Sequence, residues 1–224
     1  MYTTLFFDLD NTLLDFSRAE EWAIRNTLKN FGIPDDSETV ELYSQINLSY
    51  WQRFERGEIP KNDIFEGRFK TLLSVLKQEG NTSEISQCYI KNLSLTYFKI
   101  DGADEILTYL KDKGYRIFAT TNGFAFTQKN RIEKSGLDRF FEKVFISENL
   151  GYQKPEREYF EACLKEIGEK NKSNVLIIGD SQSSDILGGI NAEIDTCWFK
   201  QGGQDEKYYS KFKINNLYDL KNIL

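Results

Sequence analysis

The residues best suited to chemistry are acids that end apolar runs. Asp8 and Asp10 lie in Asp8-Leu9-Asp10-Asn11-Thr12, directly after the strand-like Leu5-Phe6-Phe7. Three further groups follow comparable runs: Thr121-Asn122-Gly123, then Lys154 in Gly151-Tyr152-Gln153-Lys154-Pro155, then Gly179-Asp180-Ser181 with Asp185 shortly after. Taken singly, each is what turn and capping chemistry supplies, since Asp, Asn, Ser and Gly are favoured there for local reasons. Four such groups in series, each at the end of an apolar run, are hard to explain by turns alone. If they converge, Asp8, Asp10 and Asp180 repel one another unless a cation sits among them. With oxygen ligands only, that cation is a hard one, and Mg²⁺ is the natural choice. A carboxylate is a competent nucleophile toward a phosphoryl group. The charge on the transferring oxygens needs metal, ammonium and hydrogen-bond donors, which Lys154, Thr121 and Asn122 can supply. Phosphoryl transfer is the chemistry these residues suit.

The rest of the composition narrows the field. The 224 residues include no histidine, which excludes Ser-His-Asp and Cys-His catalysis in their usual forms and every His-ligated zinc site. Cys88, Cys163 and Cys197 are odd in number and lack metal-ligand spacing; Cys163 and Cys197 read as small buried hydrophobes. A net charge of −6 without a dense Lys/Arg cluster argues against a nucleic-acid polymer or a membrane surface as partner. No stretch approaches the roughly 18 apolar residues of a membrane span. The N-terminal Met-Tyr-Thr-Thr has no basic run or cleavage site, and a cytoplasmic protein is expected.

Positioning such residues takes a particular order of elements. Thr3–Leu9 reads as a buried strand. Ser17 with Glu20 has the form of a capping box opening a helix to about Phe31, with Gly32 as its stop. From there to about Phe98 only helix signals occur, over roughly Ser37–Arg53, Lys61–Gln78 and Ser83–Tyr97, with apolar residues at helical spacing in Phe65, Phe69, Leu72, Leu73 and Leu76. After Lys99 the pattern alternates: helix Ala103–Lys113, strand Tyr115–Thr121, helix Phe126–Ser135, strand Lys143–Ser147, helix Glu156–Ile167, strand Asn174–Gly179, a helix through Ile186–Ala192, strand Asp195–Phe199 and a final helix over Leu217–Leu224. Such alternation predicts an α/β fold, a Rossmann-like doubly wound parallel sheet with helices on both faces, carrying an inserted four-helix cap. The expected division is a core of residues 1–15 and 99–224 and a cap of residues 16–98. In such sheets ligands bind beyond the carboxyl ends of the strands, where all four groups lie.

Together the four motifs resemble the haloacid dehalogenase (HAD) superfamily. Asp8-Leu9-Asp10-Asn11-Thr12 is similar to its first motif, Thr121 to its second, Lys154 to its third and Gly179-Asp180-Ser181-Gln182-Ser183-Ser184-Asp185 to its fourth. The resemblance spans the chain, including a helical cap of the first type between the first two motifs. It implies that Asp8 attacks phosphorus and that Asp10 protonates the leaving oxygen, then deprotonates the water that hydrolyses the aspartyl-phosphate. It also implies Mg²⁺ on the Asp8 side chain, the Asp10 backbone carbonyl and Asp180, a phosphate grip by Thr121, Asn122 and Lys154, and Asp185 behind the site orienting water or Lys154. Asp10 favours a phosphatase over dehalogenases, which lack that acid, and over transporting ATPases, which place Thr there. Helical-cap phosphomutases usually have Gly where this chain has Asn11. The stretches Thr121-Asn122-Gly123-Phe124, Ile146-Ser147-Glu148, Ser184-Asp185-Ile186-Leu187-Gly188-Gly189-Ile190-Asn191-Ala192 and Thr196-Cys197-Trp198 further resemble the bacterial pyrimidine 5′-nucleotidases. That implies a small-molecule phosphomonoester, a nucleoside 5′-monophosphate, with Mg²⁺ or Mn²⁺.

Other readings are a HAD phosphatase of another small metabolite such as a sugar phosphate, a phosphomutase, and a phospho-accepting signalling receiver. Receivers are near half this length, do not carry the phosphorylated Asp on the first strand and have no place for a helical insertion. In the cap, Tyr43, Tyr50, Trp51, Phe54, Phe65 and Phe69 offer stacking surfaces for a base, although most are expected to fill the cap's own core.

Overall fold

The computed structural model describes residues 2–202 and 205–224. A six-stranded sheet holds β1 (Thr4–Asp8), β2 (Arg116–Thr121), β3 (Lys143–Ile146), β4 (Val175–Gly179), β5 (Asp195–Phe199) and β6 (Phe212–Ile214). Every neighbouring pair is parallel, in the order β3-β2-β1-β4-β5-β6. The order reverses between β1 and β4, so the connections leaving them depart in opposite directions and open a crevice at their carboxyl ends. β6, absent from the sequence expectation, is a three-residue edge strand carrying exposed Lys213 at its centre.

A parallel sheet is covered on both faces, so its strands are apolar throughout and successive residues feed opposite layers. Leu5 and Phe7 pack with Ile117, Ala119, Leu176 and Ile178 against Ile106, Leu107 and Leu110 of α5 (Ala103–Asp112). Phe6 points the other way, to Phe118, Phe145 and Ile177 and to Phe160, Cys163 and Leu164 of α8 (Arg157–Ile167). The Phe6 and Phe118 ring centroids lie 5.6 Å apart. Cys163 and Cys197 are buried, and burial pushes the Cys197 thiol up to about 12, consistent with small apolar fillers. The last expected helix is a 3₁₀ helix, Leu217–Asn222, capped reciprocally by Asn216 and Asp219.

The described chain forms two compact units, Met1–Asp15 with Phe98–Leu224, and Phe16–Tyr97. Phe98, counted with the insertion on sequence, stands with the first unit, where its carbonyl accepts the Asp15 amide at 3.0 Å. The second unit holds α1 (Phe16–Asn30), α2 (Ser37–Glu55), α3 (Lys61–Leu76) and α4 (Thr82–Ser94). Its Ser17–Glu20 capping box does not form. The helix already begins at Phe16, and the buried Glu20 carboxylate instead accepts from Ser44 Oγ at 2.5 Å and Asn47 Nδ2 at 2.6 Å. Asn47 Oδ1 in turn accepts from buried Arg68 at 2.8 Å, whose guanidinium lies 4.6 Å over the Tyr89 ring. Tyr43, Phe54 and Phe69 fill this unit's core, while Tyr50, Trp51 and Phe65 are half-buried. No helix among the described residues is long and apolar enough to cross a membrane.

Candidate active site

Beyond β1 the chain turns tightly, with Asn11 in the left-handed region at φ 58°, a conformation Asn tolerates better than most residues. The turn presents Asp8 and Asp10, and the buried Thr12 hydroxyl accepts the Asp180 amide at 3.1 Å, tying the end of β1 to the end of β4. Trp198 Nε1 donates to the Asp180 carbonyl at 2.9 Å. Asp180 is thus held by its backbone, and its carboxylate has no hydrogen-bond donor among the described residues.

Lys154 is the hub of the site. Its buried ammonium donates to Asp8 Oδ1 at 2.6 Å, Asp185 Oδ1 at 2.7 Å and the Thr120 carbonyl at 3.3 Å, which uses its three hydrogens. Asn122 holds its backbone in both directions, Nδ2 donating to the Lys154 carbonyl at 2.8 Å and Oδ1 accepting the Lys154 amide at 2.9 Å. The Asn122 side chain, expected on phosphate, is therefore engaged in seating Lys154. Asp185 closes the group from a π-helical turn, Gln182–Ile186, its Oδ2 accepting the Ser181 amide at 3.1 Å. Gly179 makes room for it, since a Cβ there would fall 2.3 Å from the Asp185 carboxyl. A π-helical turn of this kind is frequent at functional sites.

Asp8, Asp180 and Asp185 bring carboxylate oxygens within 4.8 Å of one another, with Lys154 as their shared cation. Burial pushes Asp8 up to about 7 against the opposing pull of Lys154, with Asp185 and Asp10 adding to the rise. Asp180 is raised well above the carboxylate range by burial, then by Asp8 and Asp185. Such acids are under-neutralised, and an all-oxygen donor set of this charge suits a hard divalent cation. Both Asp185 oxygens are already taken by donors, which leaves Asp8 and Asp180 as the carboxylates best placed to hold it.

Asp10 sits apart from the ammonium. Its Oδ2 accepts from Gln128 Nε2 at 2.6 Å, and its Oδ1 pairs with the fully buried Arg131. Both partners lie on α6 (Ala125–Ser135). Gln128 Nε2 also reaches Thr121 Oγ1 at 2.7 Å. The Thr121 amide donates to Tyr159 Oη at 3.0 Å, and that hydroxyl donates to the Phe145 carbonyl at 2.8 Å. Gln128, Arg131 and Tyr159 were not singled out on sequence, and Thr12 and Trp198 stood there only within motifs, without a role of their own. Each acts by reaching across from another element; the signal that could have found Gln128 and Arg131 is their one-turn spacing on the helix just after Thr121.

The family model for haloacid dehalogenase-like hydrolases matches residues 5–199. The pyrimidine 5′-nucleotidase PynA of Streptococcus pneumoniae is 36% identical, over 100% of this chain and 97% of its own. The glyceraldehyde 3-phosphate phosphatase of Pyrococcus furiosus is 34% identical over 98% and 92%. The HAD-hydrolase YfnB of Bacillus subtilis is 35% identical, and its crystal structure, bound to magnesium, matches with a TM-score of 0.93 over 100% of this chain and 98% of that one. Acids, ammonium and hydroxyl gathered where the strand order reverses are what that kinship leads one to find, and the chain belongs to the haloacid dehalogenase-like hydrolases, as a phosphatase of that family.

Proposed function

We propose that the protein is a Mg²⁺-dependent phosphomonoesterase that works through an aspartyl-phosphate on Asp8 and acts on nucleoside 5′-monophosphates, pyrimidine nucleotides first. The observation that carries the mechanism is the Lys154 ammonium shared by Asp8 and Asp185 beside the Asp180 carboxylate. A divalent cation, Mg²⁺ or in its place Mn²⁺, held by Asp8, Asp180 and the Asp10 backbone carbonyl would supply the missing positive charge to the acids and to the phosphoryl oxygens.

The chain's own groups then divide the work. The Asp8 carboxylate attacks phosphorus, and the ester P–O bond breaks. Asp10 gives its proton to the departing oxygen, then takes one from the water that attacks the aspartyl-phosphate, releasing phosphate and restoring Asp8. The Thr121 hydroxyl binds the phosphoryl oxygens together with Lys154, which turns one hydrogen from its long 3.3 Å contact with the Thr120 carbonyl to the phosphate, and Asn122 and Asp185 keep Lys154 in place. The nucleotide assignment is supported by the full-length likeness to PynA, and the likeness to a glyceraldehyde 3-phosphate phosphatase motivates a triose phosphate as the second reading.

Phosphate release from a panel of monophosphates with Mg²⁺ tests both. Turnover is expected to be fastest on pyrimidine nucleoside monophosphates and to vanish in EDTA. Faster turnover on triose or hexose phosphates overturns the nucleotide assignment and leaves the phosphatase standing.

A further inference from the structure

We propose that Gln128 and Arg131 are positioning residues of this site: they turn the Thr121 hydroxyl proton outward as a phosphate donor and fix the Asp10 carboxylate beside it. The proposal rests on the phosphoryl-transfer reading above and deepens it. Both side chains are buried, Arg131 completely.

A guanidinium can only donate. Arg131 Nη1 donates to Asp10 Oδ1 and, at 3.1 Å, to Gln128 Oε1. That contact identifies the acceptor end of the Gln128 amide, so Nε2 must face the other way. Its two hydrogens go to Asp10 Oδ2 at 2.6 Å and Thr121 Oγ1 at 2.7 Å. Thr121 Oγ1 also accepts the Gly123 amide at 2.9 Å. With both lone pairs filled, the hydroxyl has only its proton left to offer, and that proton has no acceptor among the described residues. A phosphate oxygen is an acceptor of the matching kind. Meanwhile both Asp10 oxygens are held, and its side chain keeps 28% of its surface exposed as the face open to reactants. One guanidinium thereby sets the direction of every hydrogen bond from Asp10 to Thr121.

Gly123 belongs to the same device. A Cβ there would lie 2.6 Å from Gln128 Nε2 and 2.7 Å from Cδ and Cγ, so the Gln128 arm rests on the bare glycine. Gly123→Ala would push the amide away without deleting a polar group.

The ordinary alternative is that Gln128 fills space and Arg131 neutralises a core acid. Three variants separate the two in the full-length protein with Mg²⁺, each checked by its melting curve: Gln128→Met, Gln128→Glu and Gly123→Ala. We expect Gln128→Met to lower kcat about 10²-fold, the scale of losing one aligned donor. Gln128→Glu should be worse than Gln128→Met, because the new carboxylate repels Asp10 and draws the Thr121 proton to itself. Space-filling predicts the opposite order, since Gln128→Glu keeps the shape and gains an Arg131 partner. Losses should also be larger on a nucleoside monophosphate than on p-nitrophenyl phosphate, whose leaving group departs without a proton from Asp10. Gly123→Ala should mimic Gln128→Met and add nothing to it in the double variant. Gln128→Glu equal to or better than Gln128→Met, or losses indifferent to the leaving group, overturns the proposal. A wild-type protein that releases no phosphate from any monophosphate overturns the phosphatase mechanism instead.

Discussion

A buried ammonium between two carboxylates, with a third carboxylate that has no hydrogen-bond donor among the described residues, sets the behaviour of the site at the scale of single residues. The proposed attack needs an ionised Asp8, yet burial lifts it to about 7. Its unfolded value is near 3.9, so between about pH 4 and 7 the folded state binds the extra proton. The stability tied to that proton is full below about pH 4 and is lost as pH rises through about 7. In EDTA, the melting temperature of the wild type is therefore expected to fall from pH 4.5 to 7.5 relative to Asp8→Asn, which removes the titrating group. Added Mg²⁺ needs the ionised acids and should raise the melting temperature more at pH 8 than at pH 5, through preferential binding to the folded state. Identical pH slopes in the two proteins would contradict this account of Asp8. In turnover, Asp8→Asn should leave no measurable activity, and Asp10→Asn should cost about 10²–10⁴-fold. Asp8, Asp10, Thr121, Lys154, Asp180 and Asp185 were visible in sequence because they lie at the ends of apolar strands or in the segments that follow them. Gln128 and Arg131 were not, because what they do is decided by where α6 lies.

The same contrast holds for elements. The apolar runs of β1, β2 and β4 have no polar face, which marks a sheet buried on both sides, and Gly136 and Gly168, each directly after its helix, stop α6 and α8 in the left-handed conformation. β6 was missed because Phe212-Lys213-Ile214 is too short to show a period. The turn after Asp180 was expected to run into a plain helix. It instead winds as a π-helix from Gln182 to Ile186 before α9 (Leu187–Ala192), which returns Asp185 to Lys154. How closely α9 lies on the sheet is set by its small residues. A Cβ on Gly189 would fall 2.2 Å from Thr196 Cγ2 and 3.2 Å from the Ile194 carbonyl, and one on Gly188 would fall 2.8 Å from the Phe160 ring. Gly189→Ala should therefore lift α9 and cost about 1–3 kcal/mol by overpacking. A denaturant titration reads this as a lower midpoint at unchanged slope. A variant as stable as the wild type would mean that the helix accommodates the methyl group, and that its glycines do not govern the contact.

For the molecule as a whole, the question is whether the chemistry and the insertion are separable. Among the described residues, the apolar clusters on the two faces of the sheet hold none from Phe16 to Tyr97. The groups proposed for catalysis also all come from the first unit. The chain leaves and re-enters that unit at adjacent points, since Leu14 bridges Lys99 and the Asp15 amide donates to the Phe98 carbonyl. A short Gly-Ser linker closing Asp15 to Phe98 would thus span little distance and add only a small loop-closure cost. Such a core protein is expected to melt cooperatively and to keep Mg²⁺-dependent hydrolysis of p-nitrophenyl phosphate, because every group in the proposed mechanism belongs to the first unit. Its preference among nucleotide and sugar monophosphates should flatten to within about tenfold, the range that differences of about 1.4 kcal/mol allow. Melting curves and the substrate panel, run side by side with the full chain, check this. A core that folds and binds Mg²⁺ but hydrolyses nothing would show that α1 to α4 supply part of the chemistry. A core that keeps the full chain's selectivity would move the determinants of substrate choice to the strand-end loops.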